Sequence, residues 1–187
     1  IGMADDVGRH FCDAVVRNSR PAGHVKACTL VRLEMASNRL NHTVCDALPS
    51  LFKLLPCLAN IDLSRNDIGS RGAEKLARAM PNAVALRTLD LSYANLCDIT
   101  PRNASAIVAA DAKWSPDGVG AVCTAVTNCP AGLTELLLVG NGLCGVWAER
   151  ICGEPAMRGT YRTGAIDALV EMLDKERLAF KGRESLR

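Results

Sequence analysis

Residues 58–77 read LANIDLSRNDIGSRGAEKLA, and the rest of the chain is best understood from this segment. Apolar residues and one asparagine recur in it at fixed intervals, namely Leu58, Ile61, Leu63, Asn66 and Ile68. The alternation around Ile61 and Leu63 predicts a short strand with every second side chain on one face. The apolar period then becomes helical from Gly72 to Met80, so the segment predicts a strand, a turn and a helix.

The same template occurs four times along the chain. The first three copies begin at Leu30, Leu58 and Leu86, which are 28 residues apart, and the fourth begins at Leu133, 47 residues after the third. The other copies read Leu30, Leu33, Met35, Asn38, Leu40; Leu86, Leu89, Leu91, Ala94, Leu96; and Leu133, Leu136, Leu138, Asn141, Leu143. An asparagine at the strand end can hydrogen-bond the turn of its neighbour, so Ala94 predicts a looser turn, or a water, in the third copy.

A single unit of this size cannot bury both the strand face and the helix face. Stacked units can bury them in one continuous core, with parallel strands about 4.8 Å apart. The sequence therefore predicts an α/β fold built from repeated units.

The pattern resembles a leucine-rich repeat array of the ribonuclease-inhibitor-like subfamily, with the best match over residues 63–77 and the whole match over about 28–180. This subfamily includes ribonuclease inhibitor, Ran GTPase-activating protein and the sensor domains of NOD-like receptors. The resemblance implies a right-handed β-α solenoid with short parallel strands on the concave face and helices on the convex face. It implies about four complete 28-residue repeats with partial terminal repeats, but it says little about function.

We expect a single domain over residues 1–187. A helix at 5–18, with Val7, Phe11, Ala14 and Val15 on one stripe, would belong to a partial repeat at 5–29. The complete repeats are 30–57, 58–85, 86–132 and 133–177. The last helix is predicted from Gly164 to about Glu176, with Gly164, Ile166, Leu169 and Leu173 at its helical period. A truncated fifth repeat and tail follow at 178–187, starting with a strand at Leu178 to Phe180.

Two long insertions, at 97–117 and 144–163, leave the repeats at the same point. Both begin with Leu-Cys, and they extend over 24 residues from Leu96 to Gly120 and over 21 from Leu143 to Gly164. Equivalent attachment predicts that they share one rim. The candidate partner-binding residues there are Trp114, Trp147, Tyr161, Arg102, Arg150, Arg158 and Arg162, which are residue types common in binding hot spots. The alternative is that the two tryptophans pack together and only hold the insertions in place.

A row of carboxylates is predicted on the open strand face. The outward position of successive strands holds Glu34, Asp62, Asp90 and then Leu137, with Glu135 beside its end. Carboxylates at strand spacing repel one another, and a basic partner would relieve that repulsion. The alternative is that water solvates them. Arg71, Lys75 and Arg78 are expected on a solvated helix face.

Composition excludes several classes of protein. The chain of 187 residues is 49% apolar, 22% charged and 4% aromatic, with a net charge of +2, so it can bury an aliphatic core and is not a basic nucleic-acid binder. No segment approaches the roughly 20 apolar residues of a membrane helix, and residues 1–9 do not read as a signal peptide. The nine cysteines form no Cys-x-x-Cys pair, so we expect free, buried thiols, no structural metal and a reducing compartment.

No catalytic motif stands out. The chain has no Gly-x-Ser-x-Gly and no Gly-x-x-x-x-Gly-Lys-Ser/Thr segment. A His42–Cys45 pair would need a third group to orient it and a pocket, and the sequence shows neither. We therefore expect no enzyme and no cofactor.

The expected function is a non-catalytic protein-protein interaction scaffold, a structural subunit of a larger intracellular assembly. We expect protein partners, and no specific nucleic acid, membrane or small-molecule substrate. The resemblance allows a cytoplasmic, cytoskeletal or ciliary setting, because short arrays of this subfamily occur there. The alternative is a regulator of an enzyme, like Ran GTPase-activating protein or ribonuclease inhibitor.

Overall fold

The computed structural model describes residues 10, 12–15, 17, 29–99, 114–151 and 154–184; for 147–151, 154–156, 158 and 176–184 it describes the backbone alone. The first four strands are β1 (Arg32–Glu34), β2 (Asn60–Asp62), β3 (Thr88–Asp90) and β4 (Glu135–Leu137), and a hairpin contains β5 (Val146–Ile151) and β6 (Glu154–Gly159). The helices are α1 (Leu48–Leu54), α2 (Gly69–Ala79), α3 (Asp117–Thr127) and α4 (Gly164–Glu184), with 3-10 turns at Val44–Ala47 and Met80–Asn82. The α/β class is thus confirmed.

The strands β1 to β4 form one parallel sheet in chain order. Their register aligns the central residues of the strands in one inward row of Leu33, Ile61, Leu89 and Leu136. The first three of these side chains are buried. Each strand with the turn and helix that follow it is called a unit below, and the parallel stacking of strands predicted from the sequence is confirmed.

The helices cover the inward face of the sheet and pack on one another in chain order. Helix α2 packs against α3, and α3 packs against α4. The resulting core is one aliphatic cluster that extends from Cys12 to Met172. Lys75 on α2 also pairs with Asp46 in the previous unit at 2.7 Å. The helix containing Arg71, Lys75 and Arg78 lies where the sequence predicted it.

Proline residues shape the ends of two helices. Pro49 lies in the first turn of α1, where the missing N–H is not needed. Pro81 follows α2 within the 3-10 turn, and a proline there cannot continue the α-helical hydrogen bonding.

The predictions for the N-terminal helix hold where the structure describes it. Residues 10, 12–15 and 17 are helical, as expected within 5–18, Cys12 is buried and Val15 packs against the core. The predicted stripe residues Val7 and Phe11 lie outside the described residues.

Three predictions for the last helix are wrong. Helix α4 continues to Glu184, so it does not end near Glu176, and residues 178–180 are helical rather than a fifth strand. The segment after Glu176 has no glycine or proline before Gly182, and its Arg, Leu and Ala residues favour a helix. The expected stripe is also rotated. Ala165 and Met172 are buried, whereas Ile166 and Leu173 are exposed, because α3 contacts a different side of the helix.

Candidate functional site

Buried asparagines join the turns of the second and fourth units to the preceding unit. The Asn66 carboxamide accepts hydrogen bonds from the backbone N–H groups of Asn38 and Leu40, each at 3.0 Å, and donates to Met35 O at 2.9 Å. Asn141 repeats this arrangement with Ala94 N, Leu96 N and Leu91 O. The predicted bracing role of these asparagines is confirmed, and it holds the turn backbone above the sheet in one conformation.

The third unit uses other side chains, because Ala94 has no polar group. Asn95 Nδ2 donates to Asp67 Oδ1 at 2.9 Å. Asp98 accepts from the Ser70 backbone N–H at 2.9 Å and from the Ser70 hydroxyl. The sequence predicted a looser turn or a water here, and the structure instead ties the two turns together through Asn95 and Asp98.

The carboxylate row lies on the outward face of the sheet, as predicted. The register aligns Glu34 with Asp62, Asp62 with Asp90 and Asp90 with Leu137. Each carboxylate has a local partner. Glu34 pairs with Arg32 at 3.3 Å, and Asp62 and Asp90 each accept from the backbone N–H two residues later at 2.8 Å. Glu135, in the neighbouring row, accepts from the Thr88 hydroxyl at 3.4 Å. These partners remove part of the repulsion that favoured a basic ligand.

An exposed patch, missed by the sequence analysis, lies on the turns beyond the carboxylate row. We call Arg65, Tyr93 and Val139 the turn patch. The Arg65 guanidinium carbon lies 4.8 Å from the centroid of the Tyr93 ring. The ring lies directly on Gly140, where an added Cβ would be 2.3 Å from Tyr93 Cδ1. Tyr93 and Val139 are nonetheless exposed, so the patch presents apolar side chains on a braced backbone. The signal in the sequence was that Tyr93 and Gly140 occupy equivalent turn positions of neighbouring units, so that an aromatic ring faces a residue without a side chain.

The two insertions close at equivalent points. The Ser115 backbone N–H donates to Cys97 O at 3.0 Å, and the Arg162 N–H donates to Cys144 O at 2.9 Å. The second pair lies 47 residues after the first in the chain, which is also the offset between units three and four. Attachment of the insertions at the same point is therefore confirmed.

The predicted lengths of the insertions are wrong. Gly118, and not Gly120, occupies the position of close approach, since a Cβ at Gly118 would be 2.2 Å from Leu96 O whereas one at Gly120 meets nothing within 4 Å. The matching residue in the next unit is Ala165, which is fully buried. Both insertions therefore extend over 22 residues. The sequence favoured Gly120 and Gly164 because spacing alone cannot tell which of several nearby small residues makes the close contact.

Trp114 connects the two insertions. Its Nε1 donates to Gly142 O at 2.9 Å, and the Arg162 guanidinium carbon lies 5.5 Å from the ring centroid. The indole is partly buried against the core. Through these contacts Trp114 holds the two insertions together, and its predicted packing on Trp147 lies outside the described side chains.

The second insertion forms an antiparallel hairpin. Strands β5 and β6 place Trp147 opposite Arg158, and Arg150 opposite Pro155. Met157 and Tyr161 are exposed. The side chains of Trp147, Arg150 and Arg158 are not described, and Arg102 lies outside the described residues. Of the predicted rim residues, the structure brings Trp114 and Arg162 together and leaves Tyr161 open to solvent.

Buried cysteines carry protonated thiols. Burial raises the pKa of Cys45 to about 12 and that of Cys12 and Cys97 to about 11. Cys45 is therefore not a thiolate nucleophile at neutral pH. The seven described cysteines are free. Among the described residues, no group of three or more His, Cys, Asp or Glu side chains is placed to hold a metal ion.

No helix in the described part of the chain has both the length and the apolar character needed to cross a membrane. Comparison with protein-family models and with curated proteins gives no match to this chain.

Proposed function

We propose that the chain is a non-catalytic protein-protein interaction scaffold of the leucine-rich repeat type, related to the ribonuclease-inhibitor-like subfamily. Parallel strands that follow one another in chain order, with register offsets of 28, 28 and 47 residues, support this proposal. The hydrogen bonds of Asn66 and Asn141 to the turns of the preceding units support it as well. The fold then serves as a rigid support, and its function lies in the exposed groups on that support.

The observation that carries the proposal is that large apolar and aromatic side chains are exposed on the turns of the third and fourth units and on the second insertion. Tyr93, Val139, Met157 and Tyr161 are all about half exposed or more. We call these four residues the docking surface. Exposed aromatic groups on a braced backbone lose little conformational entropy on binding, which suits a protein-binding hot spot.

The proposed setting is a larger intracellular assembly in a reducing compartment, cytoplasmic, cytoskeletal or ciliary. Free thiols support a reducing compartment, because five of the seven described cysteines are buried and packed as apolar residues. The subunit would bind its neighbours through the docking surface and the rim insertions, including Trp147, Arg102, Arg150 and Arg158.

The alternative is a regulator that binds one enzyme through the carboxylate row. Glu34 and Glu135 favour this reading, because both remain exposed on the open face of the sheet. Asp62 and Asp90 weaken it, because one oxygen of each already accepts a backbone hydrogen bond.

Affinity capture from the source cell, read by mass spectrometry, separates the two functions. The test variant is Tyr93→Ala with Tyr161→Ala. The matched control is Val84→Ala, an exposed apolar residue in the segment that precedes β3, whereas Tyr93 follows β3. We expect the double variant to lose a set of several proteins that the wild type and the control retain, with unchanged circular dichroism.

A second variant, Glu34→Gln with Glu135→Gln, tests the regulator. Loss of a single captured enzyme in this variant, with retention in the tyrosine variant, would contradict the scaffold proposal. Trp114→Ala is unsuitable for this purpose, because its indole contacts hold the insertions and its removal changes the support as well as the surface.

A further inference from the structure

The fourth unit has an apolar side that no described residue covers. Ile166, Val170 and Leu173 are exposed on α4, and their spacing places them on one side of the helix. We call them the end stripe. The half-buried leucines of the same unit extend this face toward the sheet, and they are Leu133, Leu136, Leu138 and Leu143.

The matching residues in the two preceding helices are buried or half-buried, and none of them is exposed. Val119 and Cys123 of α3 correspond to Ile166 and Val170 across the offset of 47 residues, and both are buried. Leu173 corresponds to Val126, which is half-buried. In α2 the matching residues are Ala73 and Met80, which are buried, and Ala77, which is half-buried. The leucines of the third unit show the same contrast with the fourth, since Leu86, Leu89, Leu91 and Leu96 are all fully buried.

Each of these two helices is covered by the helix of the next unit. The first residue of the covering helix to make contact is small. Helix α3 lies against α2 and brings Gly118 against the preceding turn, and α4 lies against α3 with Ala165 buried at the same position. A larger aliphatic residue follows one turn later in both helices, namely Val122 and Leu169. These contacts define what fits the end stripe, which is a helix whose apolar face begins with glycine or alanine and continues with leucine or valine.

The charged residues of α4 beside the end stripe determine which side chains suit the flank of the partner helix. Asp167, Glu171 and Asp174 are exposed on α4 beside the end stripe, toward solvent. Lys175 pairs with Glu171 at 2.7 Å from the far side. A second copy of the chain, related by a two-fold axis, would bring two such acidic rows together, and like charges at that spacing repel. A partner with lysine or arginine on its flank would attract them.

We propose that this exposed side of the fourth unit binds an amphipathic helix of another protein, with small and aliphatic residues on its apolar face and lysine or arginine on its outer flank. The site is separate from the docking surface, and the proposal does not depend on the proposed function. It continues the packing of α2 on α3 and of α3 on α4 by one more helix.

The test uses the full chain and a fluorescent synthetic helix of about 20 residues. The probe has alanine and leucine on one face and lysine on the flank beside it, and the control probe has glutamate in place of lysine. The chain variants are Val170→Ser on the end stripe and Val84→Ser elsewhere, since the two valines are 54% and 57% exposed.

We expect the lysine probe to bind the wild type, and to bind at least about tenfold more weakly to Val170→Ser or in about 0.5 M salt. Val84→Ser should bind like the wild type, and the glutamate probe should bind poorly. No binding to the wild type, equal binding of both probes, or equal loss in Val84→Ser would overturn the proposal. Dimerisation of the wild type in sedimentation, abolished by Val170→Ser, would identify a second copy as the occupant instead.

Discussion

At the scale of single residues, Asn66 shows how one side chain joins two units. Its carboxamide makes two accepted and three donated hydrogen bonds while it is almost fully buried. Replacement by alanine leaves several buried backbone groups without partners. We expect Asn66→Ala to lower the free energy of unfolding by about 3 kcal/mol, measured by urea denaturation.

Asn38 is the matched control for this prediction. It occupies the same position in the first unit, but its carboxamide is exposed and donates only to Ala36 O at 3.0 Å among the hydrogen bonds described. Asn38→Ala should change the unfolding free energy by less than about 0.5 kcal/mol. Equal losses of unfolding free energy in the two variants would show that the buried hydrogen bonds of Asn66 are not the cause of the loss.

Thiol reactivity provides a second prediction at this scale. With pKa values of about 11 to 12, Cys12, Cys45 and Cys97 are protonated and shielded at pH about 8, whereas Cys57 is exposed. Mass spectrometry after brief alkylation of the native protein should find Cys57 modified and these three intact. Denatured, unreduced protein should titrate all nine thiols. A total of seven or fewer, or rapid native modification of Cys45, would contradict this prediction.

The same raised pKa values determine a pH dependence. In the unfolded chain these thiols ionise from about pH 9, but in the folded chain they ionise only near 11 to 12. Their burial therefore contributes fully below about pH 9, and that contribution falls as the pH rises through about 12. Cys45→Ala should reduce the loss of stability between pH 9 and 11, compared with Cys57→Ala, in urea denaturation at each pH.

At the scale of elements, α3 is held close to the preceding unit by one glycine. An added Cβ at Gly118 would lie 2.2 Å from Leu96 O and 2.8 Å from Ser70 Cα, and both are backbone atoms that cannot move aside. We expect Gly118→Ala to cost about 2 kcal/mol or more in thermal or urea unfolding, because the helix must move away.

Gly120 lies in the same helix, two residues later, with nothing within 4 Å of an added Cβ. Gly120→Ala should therefore stabilise the protein by about 0.5–1 kcal/mol, since alanine has the higher helix propensity. If Gly120→Ala were the more harmful change, the assignment of equal insertion lengths would be wrong.

The end of α4 shows how far local pattern can mislead. Leu178 to Phe180 resembles the beginning of another strand only by analogy with the earlier units. The chain there lacks the helix-ending residues that precede the other strands, such as Pro81 and Pro130, so the helix continues to Glu184. Periodicity in a sequence locates an apolar segment, but the stop signals determine where an element ends.

At the scale of the whole molecule, one buried cluster links all four units. It extends from Cys12 to Met172 without a break between units. We expect a single cooperative unfolding transition, because adjacent units share their core residues. The two tryptophans, at 114 and 147, report on the third and fourth units, whereas far-UV circular dichroism reports on all helices. The two signals should give one urea midpoint; separated midpoints would show that the fourth unit unfolds independently.

The order, direction and register of the strands could be predicted from the spacing of the repeat. Residues such as Leu33, Ile61 and Leu89 recur at one spacing, and only a parallel stack buries all of them in one row. The bracing role of Asn66 and Asn141, and the alignment of Glu34, Asp62 and Asp90, followed from the same spacing. These features depend on contacts between equivalent positions, which a repeat makes visible in the chain.

The repeat pattern could not predict which side chains are covered, and the folded molecule shows this. Trp114 is engaged by Gly142 and Arg162, Tyr93 lies exposed on Gly140, and the end stripe stays open while Ala165 is buried. The physical reason is that exposure depends on the packing of neighbouring units and insertions. An apolar residue at a helical position has the same sequence signature whether or not another helix lies against it.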